Sequence, residues 1–131
     1  MSDYKPTGDV LKAMIIKAEQ KLEVARNDFK FEYYGDAVSR AYYAVFHAIS
    51  AVLAKNGLAF SSHAQTIGAF NREFVKKEIF PRDTYRKIQR LFEDRQLADY
   101  DWNLTFEKDI AEQDIIDAEW LVKVCREYIE K

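Results

Sequence analysis

Apolar residues recur every three or four positions along most of this chain, which is the spacing of one face of an α-helix. The first such stretch runs from Asp9 to about Phe29, and a second runs from Asp36, a candidate N-cap, to Lys55. Gly57 predicts the end of the second stretch, because glycine readily adopts the left-handed conformation that closes a helix. Alternating apolar and polar runs, which predict strands, are too short to be useful.

Capping signals predict further helices. Ser62 with Gln65 forms a capping-box pattern that opens a third helix, which we expect to end near Lys77. Pro81 fits the first turn of a fourth helix, from Arg82 to Ala98, because the fixed φ of proline suits the first helical position.

A second capping-box pattern, Asp109 with Glu112, opens a fifth helix that ends near Tyr128. We therefore expect an all-α fold, an up-and-down antiparallel bundle of four or five helices. The 131 residues suit one domain, residues 1–131, and the 48% hydrophobic content is enough for a packed core.

The second helix is unusually apolar. Between Asp36 and Lys55 its only charged residue is Arg40. A helix that is apolar all round is enclosed on all sides, and a chain this short has few helices to enclose it. We therefore expect part of this helix to pack against a second copy of the chain in a homodimer.

Charge is unevenly distributed, although the net charge is only −2. Residues 1–98 carry 16 basic and 12 acidic side chains, whereas residues 99–131 carry 4 basic and 10 acidic ones. This balance excludes a generally basic nucleic-acid coat and leaves room for a local basic groove. The acidic end fits either a solvated helix face or docking against a basic surface.

The remaining composition bears on location and cofactors. The single cysteine, Cys125, excludes an intramolecular disulfide and suits a reducing cytosol. No stretch reaches about 18 unbroken apolar residues, so we expect a cytoplasmic protein without membrane association. The chain has no Gly-rich phosphate loop and no paired Cys/His spacing, so we expect neither a cofactor nor a metal.

Arg95 is the strongest candidate for chemistry, because it continues the apolar face that Ile88 and Phe92 mark on the fourth helix. A buried arginine needs an anionic partner. Asp99, one turn later, or the adjacent Asp94 would supply one locally. A phosphate group is the alternative, since the planar guanidinium binds phosphate through two parallel hydrogen bonds.

Arg40 and His47 are seven residues apart and share a face of the second helix. Either they line a groove that binds phosphate, or Arg40 pairs with Asp36 and His47 is a satisfied core or interface histidine. His63 falls in the first turn of the third helix, where we expect it to be exposed.

Two motifs lie on these helices. The first, S-R-A-Y-Y-A-V-F-H-A, occupies residues 39–48 of the second helix, and the second, R-Q-L-A-D-Y, closes the fourth helix at residues 95–100. Together they resemble the HEPN superfamily (higher eukaryote and prokaryote nucleotide-binding domains), in its small stand-alone prokaryotic branch. The resemblance covers Leu11 to Tyr128 and implies a helical bundle that usually dimerises with the motif ends of two protomers facing one cleft.

The resemblance also implies a function. Many relatives are metal-independent endoribonucleases that act as toxins, often with a nucleotidyltransferase-like antitoxin encoded alongside. In them a histidine follows an arginine by four to six residues; the arginine holds the scissile phosphate while the histidine transfers protons for attack by the RNA's own 2′-hydroxyl. Arg95 matches that arginine, but Tyr100 stands where the histidine is expected, and a phenol of pKa about 10 is a poor base at neutral pH.

Three hypotheses follow. The first is a HEPN module, partnered by a nucleotidyltransferase-like antitoxin, that binds a nucleotide or RNA phosphate through Arg40, His47 and Arg95. The second is an active endoribonuclease toxin with Arg95, Tyr100 and Asp99 as catalytic residues, or with His47 supplying the missing imidazole. The third is a structural dimerisation domain in which Arg95 and Asp99 form a buried strut.

Overall fold

A computed structural model of the chain describes residues 6–102 and 105–131, and every regular element in these residues is a helix. The all-α helical bundle expected from the sequence is confirmed. The α-helices in the described part of the chain are α1 (Gly8–Lys30), α2 (Tyr34–Lys55), α3 (His63–Phe70), α4 (Thr84–Tyr100) and α5 (Lys108–Glu130).

Two of the predicted helix boundaries have the expected geometry. The Ser62 hydroxyl accepts a hydrogen bond from the backbone N–H of Gln65 at 3.1 Å, which caps the start of α3. Gly57 has a φ of 76°, and the next residue, Leu58, donates its N–H back to the carbonyl of Leu53 at 3.0 Å. This closing turn ends α2 and needs the conformational freedom of glycine.

Three other helices begin one or two residues from the position that the sequence predicts. Asp36 is not the N-cap of α2 and Asp109 is not that of α5, because each lies inside the first turn. An acidic residue is favourable in both places, since it interacts with the unpaired N–H groups at a helix start. α4 begins two residues after Arg82, because the Thr84 N–H first closes a turn onto the carbonyl of Pro81 at 3.1 Å.

The sequence pattern predicts one continuous third helix to Lys77. This prediction is wrong, because the α-helix stops before that residue. α3 ends at Phe70 and the chain continues as a π-helical segment, Asn71–Val75, in which each turn is wider. Phe70 and Phe74 stack with their ring centroids 5.4 Å apart, and both are buried. Regular helical spacing already predicts that two residues four apart share a face, so the pattern indicated this pair of rings but not the change to a π-helical turn.

α2 is the central helix and contacts α1, α3, α4 and α5. By length and composition alone it would be apolar enough to cross a membrane, but most of its surface is buried against its neighbours, as in the core helix of a bundle. The chain therefore encloses most of α2 by itself. The apolarity of α2 does not require a second copy, and the homodimer stays a prediction.

A buried polar cluster joins α4 to α5. Asp114 is fully buried and accepts a hydrogen bond from the Nε–H of Arg90 at 3.2 Å, while Arg90 also forms an ion pair with Asp117. Burial raises the pKa of the Asp114 carboxyl well above its ordinary 3.8, and the adjacent Asp94 carboxyl raises it further, against the opposing effect of Arg90. The folded chain therefore favours the protonated form of Asp114.

We expect Asp114→Asn to become progressively more stable than the wild-type chain as the pH rises above 3.8. The unfolded chain loses the Asp114 proton at its ordinary pKa, whereas the folded chain retains it, so the contribution of this carboxyl to stability is present at low pH and lost as pH rises. Urea unfolding across the pH range measures the difference. Glu112→Gln, an exposed change on the same helix, is the control. An equal pH trend in both variants would contradict the expectation.

Candidate functional site

Arg95 lies where α2, the start of α3 and α4 meet. Its neighbours are mostly aromatic and come from three different helices. We call this group the Arg95 site; its members are Tyr42, Tyr43, Phe46, His63, Phe92, Arg95 and Asp99.

The Arg95 guanidinium is held against ring faces more than against carboxylates. Its side chain is 11% exposed, and its central carbon lies 4.9 Å from the ring centre of Tyr42, 5.5 Å from that of Phe92 and 5.6 Å from that of Tyr43. Its Nη1 lies 3.5 Å from Asp99, and its buried Nε–H has no hydrogen-bond partner in the described structure. Arg95 is therefore neither in bulk solvent nor fully neutralised by its neighbours.

Asp99 divides its two carboxylate oxygens between two partners, so only one of them contacts Arg95. One of its carboxylate oxygens accepts a hydrogen bond from the Ser39 hydroxyl at 2.8 Å, and the other forms the long 3.5 Å contact with Arg95. Asp99 thus ties α4 to α2. A buried donor left without a partner costs about 1–3 kcal/mol. The Arg95 Nε–H is such a donor, and the 11% of the side chain that is exposed is the part an anion can approach.

His63 joins this site, which the sequence reasoning missed. The sequence pattern predicts an exposed residue, but the His63 ring is partly buried and stacks on Phe46 with centroids 3.9 Å apart. Its Nδ1 lies 2.6 Å from the Tyr42 hydroxyl. Its Nε2 has no hydrogen-bond partner within the described residues. The aromatic residues on one side of α2 are a signal that could have indicated a ring stacked against them.

The environment sets the charge of each titratable group. Burial lowers the pKa of His63 below its ordinary 6.5, and the Arg95 charge lowers it further, so the imidazole is mainly neutral at pH 7. Burial raises the pKa of the Tyr42 phenol to about 12, although Arg95 opposes this. Burial also lowers the pKa of Arg95, but Tyr43, Tyr42 and Asp99 more than offset it, so the guanidinium stays charged.

Tyr100 lies at the end of α4 and points away from the Arg95 site. Its side chain is highly exposed (74%), and five residues of helix rotate it by about 140° from Arg95. It lines an open depression together with Leu97 and Trp102. The structure therefore brings Asp99, but not Tyr100, next to Arg95.

Arg40 and His47 lie outside the Arg95 site. Arg40 is exposed near Asp28 of α1, and no ion pair with Asp36 is formed within the described part of the chain. His47 is half-buried, and burial lowers its pKa, with further lowering from Lys17 and Lys21 of α1 and from His63, so its ring borders the site without belonging to it. In residues 6–102 and 105–131, no group of three or more His, Cys, Asp or Glu side chains is placed to hold a metal ion.

Comparison with known proteins gives consistent matches. The family model of the HEPN domain matches residues 11–128. A Thermotoga maritima protein named "UPF0332 protein" is 36% identical over 114 residues, which cover 87% of this chain and 86% of that protein. Methanocaldococcus jannaschii "Putative toxin MJ0142" is 33% identical over 102 residues, covering 78% of this chain and 69% of that protein. "Putative toxin MJ0605" of the same organism is 35% identical over 118 residues, covering 90% and 87%.

We expect Arg95→Met to change the free energy of unfolding by about 1 kcal/mol or less. The apolar side chain keeps the packing against the rings, and Asp99, whose side chain is 31% exposed, keeps its bond to Ser39. If Arg95 and Asp99 formed a buried ion pair, the same change would lower the free energy of unfolding by about 3–5 kcal/mol, because the Asp99 charge would be left unpaired. Urea unfolding distinguishes the two outcomes. Leu91→Ala, a fully buried change one turn earlier, is the control and should cost about 2–5 kcal/mol.

Proposed function

The chain belongs to the HEPN domain family, and from that premise we propose that it is a toxin-like protein whose Arg95 site binds the phosphate groups of RNA or of a nucleotide. The observation that carries the proposal is the state of the Arg95 guanidinium. It is a buried cation with an unpartnered Nε–H and one long carboxylate contact. Arginine is the side chain best suited to such a site, because its planar fork matches the oxygens of a phosphate.

The surroundings of Arg95 favour a nucleic acid over a simple anion. Tyr43 and Phe46 are half-buried and so keep some exposed surface, although the Arg95 guanidinium lies over Tyr43 and His63 stacks on one face of Phe46. Bases of single-stranded RNA stack on such rings, independently of sequence. Lys17 and Lys21 lie close enough to His47 to lower its pKa, so positive charge continues along the α1 side of α2. This arrangement supports a bound strand that extends beyond one phosphate.

The toxin-like role is supported by relatives. Two proteins that match most of this chain carry the word toxin in their names. We propose on this basis that the chain acts in the cytoplasm as one half of a toxin–antitoxin pair, as a homodimer, with a nucleotidyltransferase-like protein as its antitoxin. The resemblance of residues 39–48 and 95–100 to HEPN motifs supports both the dimer and the partner.

A second candidate function is RNA cleavage by the same site. One observation favours it over binding alone: the His63 imidazole has a free Nε2 and lies beside the same Tyr42 ring as Arg95. Binding needs only the cation, whereas cleavage also needs a group that transfers a proton.

We expect Arg95→Met to abolish binding of a mixed-sequence single-stranded RNA oligonucleotide, measured by fluorescence anisotropy at low salt. The matched control is Arg86→Met, which removes an exposed arginine from the same helix and should leave binding nearly unchanged. Binding of the wild-type chain should weaken as salt is added, because phosphate contacts release counterions. Equal binding by the Arg95 variant and the wild-type chain would refute a phosphate site at Arg95.

We expect the wild-type chain to arrest growth when it is expressed without a partner, and Arg95→Met to relieve the arrest. The physical reason is that the toxic action requires the RNA phosphate to reach the guanidinium. Plating efficiency after induction measures the effect, with Arg86→Met as the control that should still arrest growth. Arrest by the Arg95 variant at equal protein level would contradict the proposal.

A further inference from the structure

We propose that the outward face at the end of α4 binds a basic, amphipathic helix of another protein. We call this face the α4 end surface; its members are Glu93, Gln96, Leu97, Tyr100, Asp101 and Trp102. It lies on the opposite side of α4 from Arg95, because Leu97 is rotated by about 200° and Tyr100 by about 140° from Arg95 around the helix axis. The proposal therefore does not depend on phosphate binding at the Arg95 site.

The α4 end surface exposes three large apolar side chains beside one another. Leu97 is 46% exposed, Tyr100 is 74% exposed and Trp102 is 95% exposed. Leu97 and Tyr100 are three residues apart and share one face of the helix, and Trp102, which follows the C-cap residue of α4, lines the same depression. Single exposed apolar residues are ordinary in a protein, whereas several together mark a contact with another molecule.

Packing of the bundle does not account for these side chains. The buried residues of α4 lie on its other side and are Thr84, Ile88, Leu91 and Arg95. Trp102 has no hydrogen bond, ion pair or ring contact within the described residues. Tryptophan and tyrosine are the side chains that most often anchor a protein–protein contact, because each buries a large area with few rotatable bonds. The exposed rings are therefore suited to an intermolecular contact.

The charge of the α4 end surface indicates the chemistry of its partner. Among the described residues that line the depression, Glu93 and Asp101 are acidic and none is basic. Residues 93–101 contain four acidic side chains and one basic side chain, and the basic one is Arg95, which faces the other way. Lysine or arginine side chains that flank an apolar stripe complement these carboxylates and direct the partner to this surface.

The shape of the depression fits a protein segment better than a small molecule. Its volume is about 780 Å³, but it is open to solvent, whereas a small-molecule pocket encloses most of its ligand. Leu97 and Tyr100 form a short apolar stripe along α4. A second helix can pack against such a stripe through apolar side chains that are themselves three or four residues apart.

Other occupants fit the charge of this surface less well. RNA and anionic membranes are negatively charged, so the carboxylates of Glu93 and Asp101 oppose their approach. A second copy of the chain, related by a two-fold axis, would present the same acidic surface to this one. A basic, amphipathic helix of another protein satisfies both the exposed rings and the carboxylates.

Two synthetic peptides test the proposal with the full-length chain. The first is a helix of about 18 residues, or five turns, with leucine on one face and lysine elsewhere, and the second has glutamate in place of every lysine. We expect the wild-type chain to bind the lysine peptide with an affinity in the micromolar range, as in other small interfaces, and not to bind the glutamate peptide. Fluorescence anisotropy of the labelled peptide measures binding. The emission of Trp102 should shift to shorter wavelength as its ring leaves water, and this shift should be absent from Trp102→Ser.

Matched variants separate this surface from the rest of the chain. Trp102→Ser and Leu97→Ser should each weaken binding of the lysine peptide at least about tenfold, because each removes apolar area from the contact. Ile79→Ser, which removes an exposed apolar side chain before α4 begins, should leave binding unchanged. Glu93→Gln should weaken binding and reduce its dependence on salt, whereas Glu112→Gln on α5 should do neither. All five positions are exposed, and circular dichroism checks that each variant is folded.

The proposal is overturned if the wild-type chain does not bind the lysine peptide, binds both peptides equally, or binds as well after Trp102→Ser and Leu97→Ser. Sedimentation, phosphatidylglycerol vesicles and single-stranded RNA test the other occupants. Self-association, vesicle binding or RNA binding that is lost in Trp102→Ser would assign the surface to a second copy, a membrane or RNA instead. Equal RNA binding by Arg95→Met and the wild-type chain would refute the proposed function and leave this proposal standing.

Discussion

The arrangement of this site depends on one interaction, the contact of the Arg95 guanidinium with the rings of Tyr42, Tyr43 and Phe92. A cation can be partly buried there because the negative faces of the rings offset some of the lost hydration. Ring faces do not accept strong hydrogen bonds, however, so the guanidinium keeps only a long 3.5 Å contact with Asp99 and an interaction with the Tyr42 hydroxyl. A guanidinium closed in by two carboxylates would be equally buried but would have no capacity to bind phosphate.

α2 serves as both the core of the bundle and the floor of the site. The side that faces α1, α4 and α5 carries many alanines, which let the neighbouring helices approach closely, and it is completely buried. Tyr42 belongs to this buried side, whereas Tyr43 and Phe46 turn towards the surface. Because Tyr42 is part of the core, the ring that lies beside both Arg95 and His63 is fixed by packing.

The position of α4 is set by polar links on two sides. Asp99 is bonded to Ser39 of α2, and Arg90 is bonded to Asp114 and Asp117 of α5. These links place Arg95 between them, facing α2. The link between Arg90 and α5 contains Asp114, whose buried carboxyl favours its protonated form. The stability of the α4–α5 contact therefore depends on pH.

The sequence by itself determined the all-α class, the approximate extent of each helix and the placing of Arg95 on a buried face, because helical periodicity and capping are local properties. It also carried the motifs at residues 39–48 and 95–100. It did not determine the π-helical segment, the continuation of α4 from Ala98 to Tyr100 or the position of His63. The position of His63 depends on how separate helices pack, since His63 meets Tyr42 only when α3 packs against α2. Spacing along the chain contains no information about contacts between separate helices.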